Sequence, residues 1–190
     1  KKSNYERLKL ALNIATTHYE LKGNTYSLFT RHETGEDSFR YSAFTSSSLP
    51  SKPGPYTVFL ARKPKNKTWA TPQQVVLSDS PDDFPPGSAR FVNLSDRAIL
   101  VQLDDNPPGR LQPGKGIVLK DLLQLKDPKK LTVWYSDRDR KLPALRRPLR
   151  FSPDTRINIT CAHVPKRTRP VLAQIFSSPF APVLEEEPTP

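Results

Sequence analysis

A thiol and an imidazole two residues apart are the side chains of this sequence best suited by type to nucleophilic chemistry. Cys161 and His163 could act as nucleophile and general base if the imidazole reached the sulfur. On a β-strand the two side chains share a face, with their Cα atoms about 6.6 Å apart, which is too far for direct activation. Ile157 and Ile159 lie on that same face. We therefore predict that Cys161 is a small apolar residue of the core.

The acidic side chains of two loops could bind a divalent cation. Calcium needs six to eight oxygens from a converging loop, and neither loop has the spacing of an EF-hand. Both loops lie beside prolines, where Asp and Asn commonly cap the backbone amides of turns. We therefore interpret both loops as turns and predict no metal site, since three His and one Cys are also too few to assign zinc. The loops comprise Asp79, Asp82 and Asp83, and Asp104, Asp105 and Asn106.

The stretch FVNLSDRAILVQLDDN (91–106) raises the same question, because it places polar side chains between apolar runs. Alternating apolar residues predict strands at 89–94 and 98–103, with Ser95, Asp96 and Arg97 forming the turn between them. Its polar residues are therefore predicted to make turns.

Sequence motifs of the common enzyme classes do not occur in the chain. There is no G-x-S-x-G, P-loop, H-E-x-x-H or dinucleotide fingerprint. We assign no catalytic residue and no cofactor, and we predict that the protein is not an enzyme.

A basic segment remains as a candidate binding surface. The net charge is +11, and residues 126–170 hold 13 Lys and Arg against four Asp. Such a surface favours anionic partners such as nucleic acid, lipid headgroups or acidic polysaccharide, and arginines beside Trp134 and Tyr135 suit single-stranded nucleic acid. The alternative is a solvated face that aids solubility. The candidate residues are Arg138, Arg140, Lys141, Arg146, Arg147, Arg150, Lys166, Arg167 and Arg169.

The elements that must position these residues are predicted to be strands. The chain has 21 Pro and only 7 Gly, and its apolar residues alternate with period two rather than three to four. We predict an all-β sandwich of ten or more short antiparallel strands, with one helical turn at 121–125. Predicted strands include 8–14, 26–30, 39–44, 56–62, 68–77, 117–119, 131–136, 145–151, 157–164 and 170–176.

The sandwich is expected to span residues 5–178, followed by a flexible tail at 179–190. The Pro-rich stretch SDSPDDFPPGS (78–88) is the clearest break, and is either a domain boundary or the long connection between two halves of one sandwich. No apolar run approaches the ~18 residues that a transmembrane helix needs, so no transmembrane segment is predicted.

The stretch DSPDDFPPGSARFVNLSDRAILVQL (79–103), continuing to LTVWYS and RPLRFSPDTRINITC, resembles a group of exported proteins found widely in Verrucomicrobia. Their shared core reads D-S-P-x-x-F-P-x-G-S-x-R-F-x-N-L-S, and the resemblance covers about residues 50–178. It implies an immunoglobulin-like sandwich without enzymatic activity, associated with pilus or surface machinery and similar to accessory proteins of archaeal type IV pilus systems. The group defines no catalytic residues that could be carried over to this chain.

The resemblance further implies export to the periplasm or cell surface, with a signal peptide or anchor removed before residue 1. The expected partners are proteins of the cell envelope or a pilus system, with self-association of the chain left open. The competing hypothesis is a module that binds an anionic polymer through the basic surface. Binding to a polyanion should weaken steeply with salt, whereas protein assembly should survive moderate salt.

Overall fold

The computed structural model describes residues 8, 19–36, 38–63, 68–69, 71–124, 128–138, 140–164 and 168–179. Within these residues the chain forms strands joined by turns, with one short 3-10 turn at Leu122–Gln124. The strands are β1 (Thr25–Gly35), β2 (Ser38–Ser48), β3 (Tyr56–Ala61), β4 (Gln73–Ser78), β5 (Ala89–Leu94), β6 (Ile99–Leu103), β7 (Gly109–Leu111), β8 (Gly116–Leu119), β9 (Lys129–Asp137), β10 (Arg140–Leu149), β11 (Thr155–His163) and β12 (Val171–Pro179).

Two four-stranded sheets face each other across the main core. Their strand orders are β10-β9-β6-β7 and β12-β11-β5-β8. Apolar residues at alternate positions of each strand fill the space between the sheets, including Phe91, Ile99, Val133, Tyr135 and Ile159. The predicted all-β sandwich is therefore confirmed.

The sheet β12-β11-β5-β8 is covered on both faces. Its outer face carries Val92 and Leu94 of β5, which pack with Phe59, Ala61 and Val75 of the β3–β4 hairpin. Every residue of β5 is consequently buried. β5 pairs in parallel with β11, whereas the other strand pairs described are antiparallel. Parallel pairs are typical of sheets that are buried on both sides.

The β1–β2 hairpin is a long two-stranded ribbon that attaches at its base. The Tyr26 hydroxyl donates to Gln74 Oε1 (2.5 Å), and Gln74 Nε2 donates to Thr45 Oγ1 (2.5 Å). Further along the ribbon Phe29, Phe39 and Tyr41 are exposed over about two-fifths of their surface. The ribbon thus extends beyond the packed body of the sandwich.

Several details of the sequence prediction can be compared with these elements. Only Leu8 of the predicted strand 8–14 is described, and it is not in a strand. Pro179 of the predicted tail ends β12, and residues 180–190 lie outside the described residues. The helical turn predicted at 121–125 is present as a 3-10 turn, which spans Leu122–Gln124. β7 was missed, because Pro107, Pro108 and Gly109 indicated only a turn.

Candidate functional site

The basic residues at the β9–β10 turn form the first part of the predicted surface. Arg138, Arg140 and Lys141 are exposed, and Arg138 adopts a left-handed conformation in the turn (φ 53°). The neighbouring Asp137 accepts a hydrogen bond from Arg97, which also pairs with it electrostatically. That hydrogen bond is the main reason why the pKa of Asp137 lies below its ordinary value. The β9–β10 turn therefore exposes three cationic side chains, and the Asp137 carboxylate beside them is already paired with Arg97.

A second basic group lies at the opposite end of β10. Arg146, Arg147 and Arg150 are exposed, and β10 is about 30 Å long, so this group is separated from the turn group. Arg146 pairs with Thr132 and Arg147 with Leu131, and directly opposed residues share a face. Because Leu131 lies in the core, Arg147 leaves β10 on the core-facing side, and Arg146 leaves it on the outer side.

The β11–β12 turn contributes Arg169, which is exposed. Lys166 and Arg167 lie outside the described residues. The seven predicted residues that the structure describes do not form one continuous patch, because they fall at the two ends of β10 and at the β11–β12 turn.

A cleft opens at the side of the sandwich where β10 and β12 are the last strands of their sheets. Its volume is about 430 Å³. Leu149 and Ile157 are buried at its floor, Ile175 and Phe176 are half-buried, and Arg147 and Arg150 stand at its edge. The cleft combines buried and half-buried apolar residues with two guanidinium groups, and Arg147 and Arg150 are the predicted basic residues that line it.

The sequence predicted the strand that carries Ile175 and Phe176 but not their place in a cleft. Strand alternation tells which residues share a face, whereas the cleft depends on which strands end the two sheets. That ordering rests on pairings between distant segments, such as β5 with β11.

Two buried arginines form a second charged centre, which the sequence did not predict. Arg90 Nη2 lies 3.0 Å from Asp79 Oδ1, and Arg156 Nη2 lies 3.2 Å from Asp79 Oδ2. The Phe84 ring contacts both guanidinium groups, with centroid distances of 4.2 and 5.0 Å. Burial lowers the pKa of Arg90, and the Asp79 carboxylate offsets part of that effect. One carboxylate and one aromatic ring therefore hold two cations inside the protein.

Further hydrogen bonds connect these two arginines to the surrounding fold, so we assign the charged centre a structural role. Arg90 Nε donates to Asn158 Oδ1 (2.8 Å), and Arg156 Nη1 donates to the Asp79 carbonyl (2.9 Å). The same contacts attach segment 79–88 to β5 and β11. Asp79, Phe84 and Arg90 are also three of the residues on which the sequence resemblance rests, so a large part of that motif is used in packing one segment against the sheet.

The polar stretch 91–106 does make turns, as predicted. Asn93 is fully buried, and its Nδ2 donates to the carbonyls of Arg97 (2.8 Å) and Leu111 (3.0 Å). Its Oδ1 accepts from the Ser95 amide (3.1 Å) and hydroxyl (2.7 Å). Asn93 therefore ties the 95–97 turn to β7, and its hydrogen-bonding groups are occupied within the chain.

The acidic loops also have internal partners. Asp83 accepts a hydrogen bond from Ser80 (2.9 Å), and bonds from Ser78 and Ser80 are the main cause of its lowered pKa. Asp104 accepts from the Lys130 amide (2.7 Å), which lowers its pKa, and its other oxygen lies 3.1 Å from Lys129 Nζ. In the part of the chain that the structure describes, no three His, Cys, Asp or Glu side chains converge as a metal site would require.

Cys161 lies in the main core, as predicted. Its side chain is fully buried, and burial raises the pKa of the thiol to about 12. His163 Nδ1 lies 3.4 Å from Asp96 Oδ1. A buried, protonated thiol is a poor nucleophile.

Comparisons with known proteins add no family to this description: no family model matches the chain, and no curated protein is significantly similar to it. None of the described segments forms a helix with the length and apolar character needed to cross a bilayer.

Proposed function

We propose that this protein is a non-enzymatic docking module of the periplasm or cell surface, which binds protein partners of the cell envelope, including pilus-linked assemblies. The cleft between β10 and β12 is the observation that carries the proposal. Two terminal strands flank an apolar floor there, and such edges are a common means of protein association. The resemblance of residues 79–95 to exported surface proteins supports the location.

The contacts of the other polar clusters support the same proposal. Asp79 forms ion pairs with buried arginines, Asn93 donates a hydrogen bond within a turn, and Cys161 packs in the core. These three side chains therefore have structural roles. We infer that the function of the protein lies at its surface.

The test is photo-crosslinking in the native cell, followed by fractionation. A photoreactive amino acid at position 177, beside the cleft, is compared with one at position 100, on the outer face of β6. We expect envelope proteins to be captured at 177, with similar yields when lysates are brought to about 50 and about 200 mM salt before irradiation. Residence in the cytosol together with recovery of RNA would contradict the proposal.

A second candidate is a module for an anionic polymer. Arg138, Arg140 and Lys141 at one turn favour it, because they are exposed together. Its test is binding of a fluorescent oligonucleotide and of heparin across a salt series. A steep loss of affinity with salt, equal for both polyanions, would favour this candidate over protein docking.

A further inference from the structure

We propose that the cleft between β10 and β12 binds an extended, acidic segment of a partner polypeptide, whose carboxylates pair with Arg147 and Arg150. The inference rests on the proposed docking function and names its site and the chemistry of its partner.

The strand edges are the first reason to expect an extended polypeptide. In the described sheets β10 and β12 each have one neighbouring strand, so their outer edges carry backbone groups without a ladder partner. Pro148 has no amide hydrogen and lines the cleft, so the β10 edge offers only part of a ladder. Side-chain contacts must therefore supply much of the binding.

The floor of the cleft supplies apolar contacts. Ile157 pairs with Ser177, and Ile159 pairs with Ile175, so Ile175 and Ser177 share the core-facing side of β12. Ile175 is only partly covered there, and Leu149 closes the floor from β10. An extended segment presents alternate side chains to the same side, so apolar residues at every second position suit this floor.

The charges at the edge select an acidic partner. Arg147 lies on the core-facing side of β10, and Arg150 follows three residues later, about 10 Å along an extended chain. Among the described residues, no acidic side chain lines the cleft and no carboxylate forms an ion pair with either arginine. Guanidinium groups bind carboxylates through two parallel hydrogen bonds, which favours Asp or Glu opposite each arginine.

A general polyanion fits the cleft less well than a polypeptide does. A polyanion follows a track of cations, yet Lys141, the nearest cation of the β9–β10 turn along β10, lies six residues or about 20 Å from Arg147. A polyanion also leaves the apolar floor unused. The combination of floor, strand edges and two arginines therefore favours an acidic peptide.

The test measures binding of a fluorescent peptide of alternating Val and Glu by anisotropy. The cleft variant is Arg147→Glu with Arg150→Glu, and the matched control is Arg138→Glu with Arg140→Glu, which changes the net charge equally. We expect the wild type and the control to bind alike, and the cleft variant to bind roughly tenfold more weakly or worse. A peptide with Gln in place of Glu should bind the wild type more weakly than the Val–Glu peptide does, by a similar factor of roughly ten.

Two further measurements keep the outcome clear if the cleft variant is damaged. A Val–Lys peptide should bind the cleft variant better than it binds the wild type. The variant Arg147→Lys with Arg150→Lys keeps the charge but should bind the Val–Glu peptide more weakly than the wild type does. Equal loss in the control variant, or equal competition by polyphosphate of the same charge, would overturn the inference.

Failure of this inference can be distinguished from failure of the docking function. If the cleft variant still crosslinks the same envelope proteins through position 177, the cleft binds its partner without Arg147 and Arg150, so the acidic-segment inference fails whereas the docking function stands. If the wild type crosslinks no envelope protein at all, the docking function itself fails.

Discussion

Cys161 illustrates how a residue with reactive chemistry becomes inert through its surroundings. Its neighbours across the sheet are Ala173 on β12 and Asn93 on β5, and its side chain is fully buried. Burial disfavours the thiolate because the charged form loses its hydration. The thiol therefore keeps its proton at any physiological pH.

This burial predicts a specific pH dependence of stability. The pKa of Cys161 is raised from 9.0 to about 12, so above pH 9 the unfolded chain releases a proton that the folded chain retains. The contribution is fully present below pH 9 and falls by about 1.4 kcal/mol per pH unit between pH 9 and 12. The free energy of unfolding is measured in urea from pH 8 to 11 for wild type and Cys161→Ala. The wild type should lose stability more steeply; parallel slopes would contradict the prediction.

Some residue roles could be predicted from the sequence and others could not. Trp134 and Tyr135 are adjacent in the predicted strand 131–136, so alternation puts them on opposite faces, and Tyr135 is the fully buried one. Alternation did not reveal that Arg90 and Arg156 are buried, because a buried cation is stable only if a partner neutralises it. Asp79 is that partner, and its proximity to Arg156 depends on the whole fold.

At the scale of elements, segment 79–88 packs against the amino ends of β5 and β11, the two central strands of the sheet that is covered on both faces. The Gly87 amide donates to the Thr155 carbonyl (2.8 Å), and the Ile157 amide donates to the Ser88 carbonyl (3.0 Å). Phe84 is fully buried between the arginines. The segment is therefore fixed by backbone bonds, an aromatic ring and a shared carboxylate.

Replacing the shared carboxylate should destabilise the fold strongly. Asp79→Asn keeps the shape but removes the carboxylate that pairs with both buried guanidinium groups, whose side chains are 2% and 10% exposed. Breaking a buried ion pair by removing one partner typically costs about 3–5 kcal/mol. Urea unfolding of the variant measures this loss.

The matched control for that experiment is Asp105→Asn, which removes the same charge from an exposed turn position. Its free energy of unfolding should change by no more than about 0.5 kcal/mol. A similar small change in Asp79→Asn would mean that the arginines are stabilised by their neutral acceptors alone.

The sequence indicated most strands but not their order. Period-two patterns located β5, β6, β9, β11 and β12 to within a few residues, because each buries one or both faces. The parallel pairing of β5 with β11 joins segments about seventy residues apart, and local patterns carry no signal for it. The cleft between β10 and β12 follows from that ordering and was therefore not predicted.

The whole molecule has an uneven distribution of burial. β5 and β11 lie at the centre, whereas much of the β1–β2 ribbon is exposed. Long two-stranded ribbons are only marginally stable in water unless a face is covered. The molecule should therefore open at the ribbon well before the sandwich unfolds.

Amide hydrogen exchange tests this gradient. Amides of Val92 and Ile159 should exchange only on global unfolding, and those at 30–42 should exchange faster by roughly two orders of magnitude, or about 3 kcal/mol in opening free energy. Exchange is followed by mass spectrometry of peptic fragments. Equal protection of both regions would show that the ribbon is as stable as the core.

The parallel pairing of β5 with β11 also affects how the chain is made. A ribosome adds residues from the amino end, so β5 emerges while the strand that will lie beside it, and half of the surrounding apolar surface, have yet to be synthesised. Val92 can pack on the β3–β4 hairpin that precedes it, but Phe91 lacks Ile159 and the other β11 residues of the core until that strand has left the exit tunnel. The main core of this protein is therefore completed only late in translation, after β11 has been made.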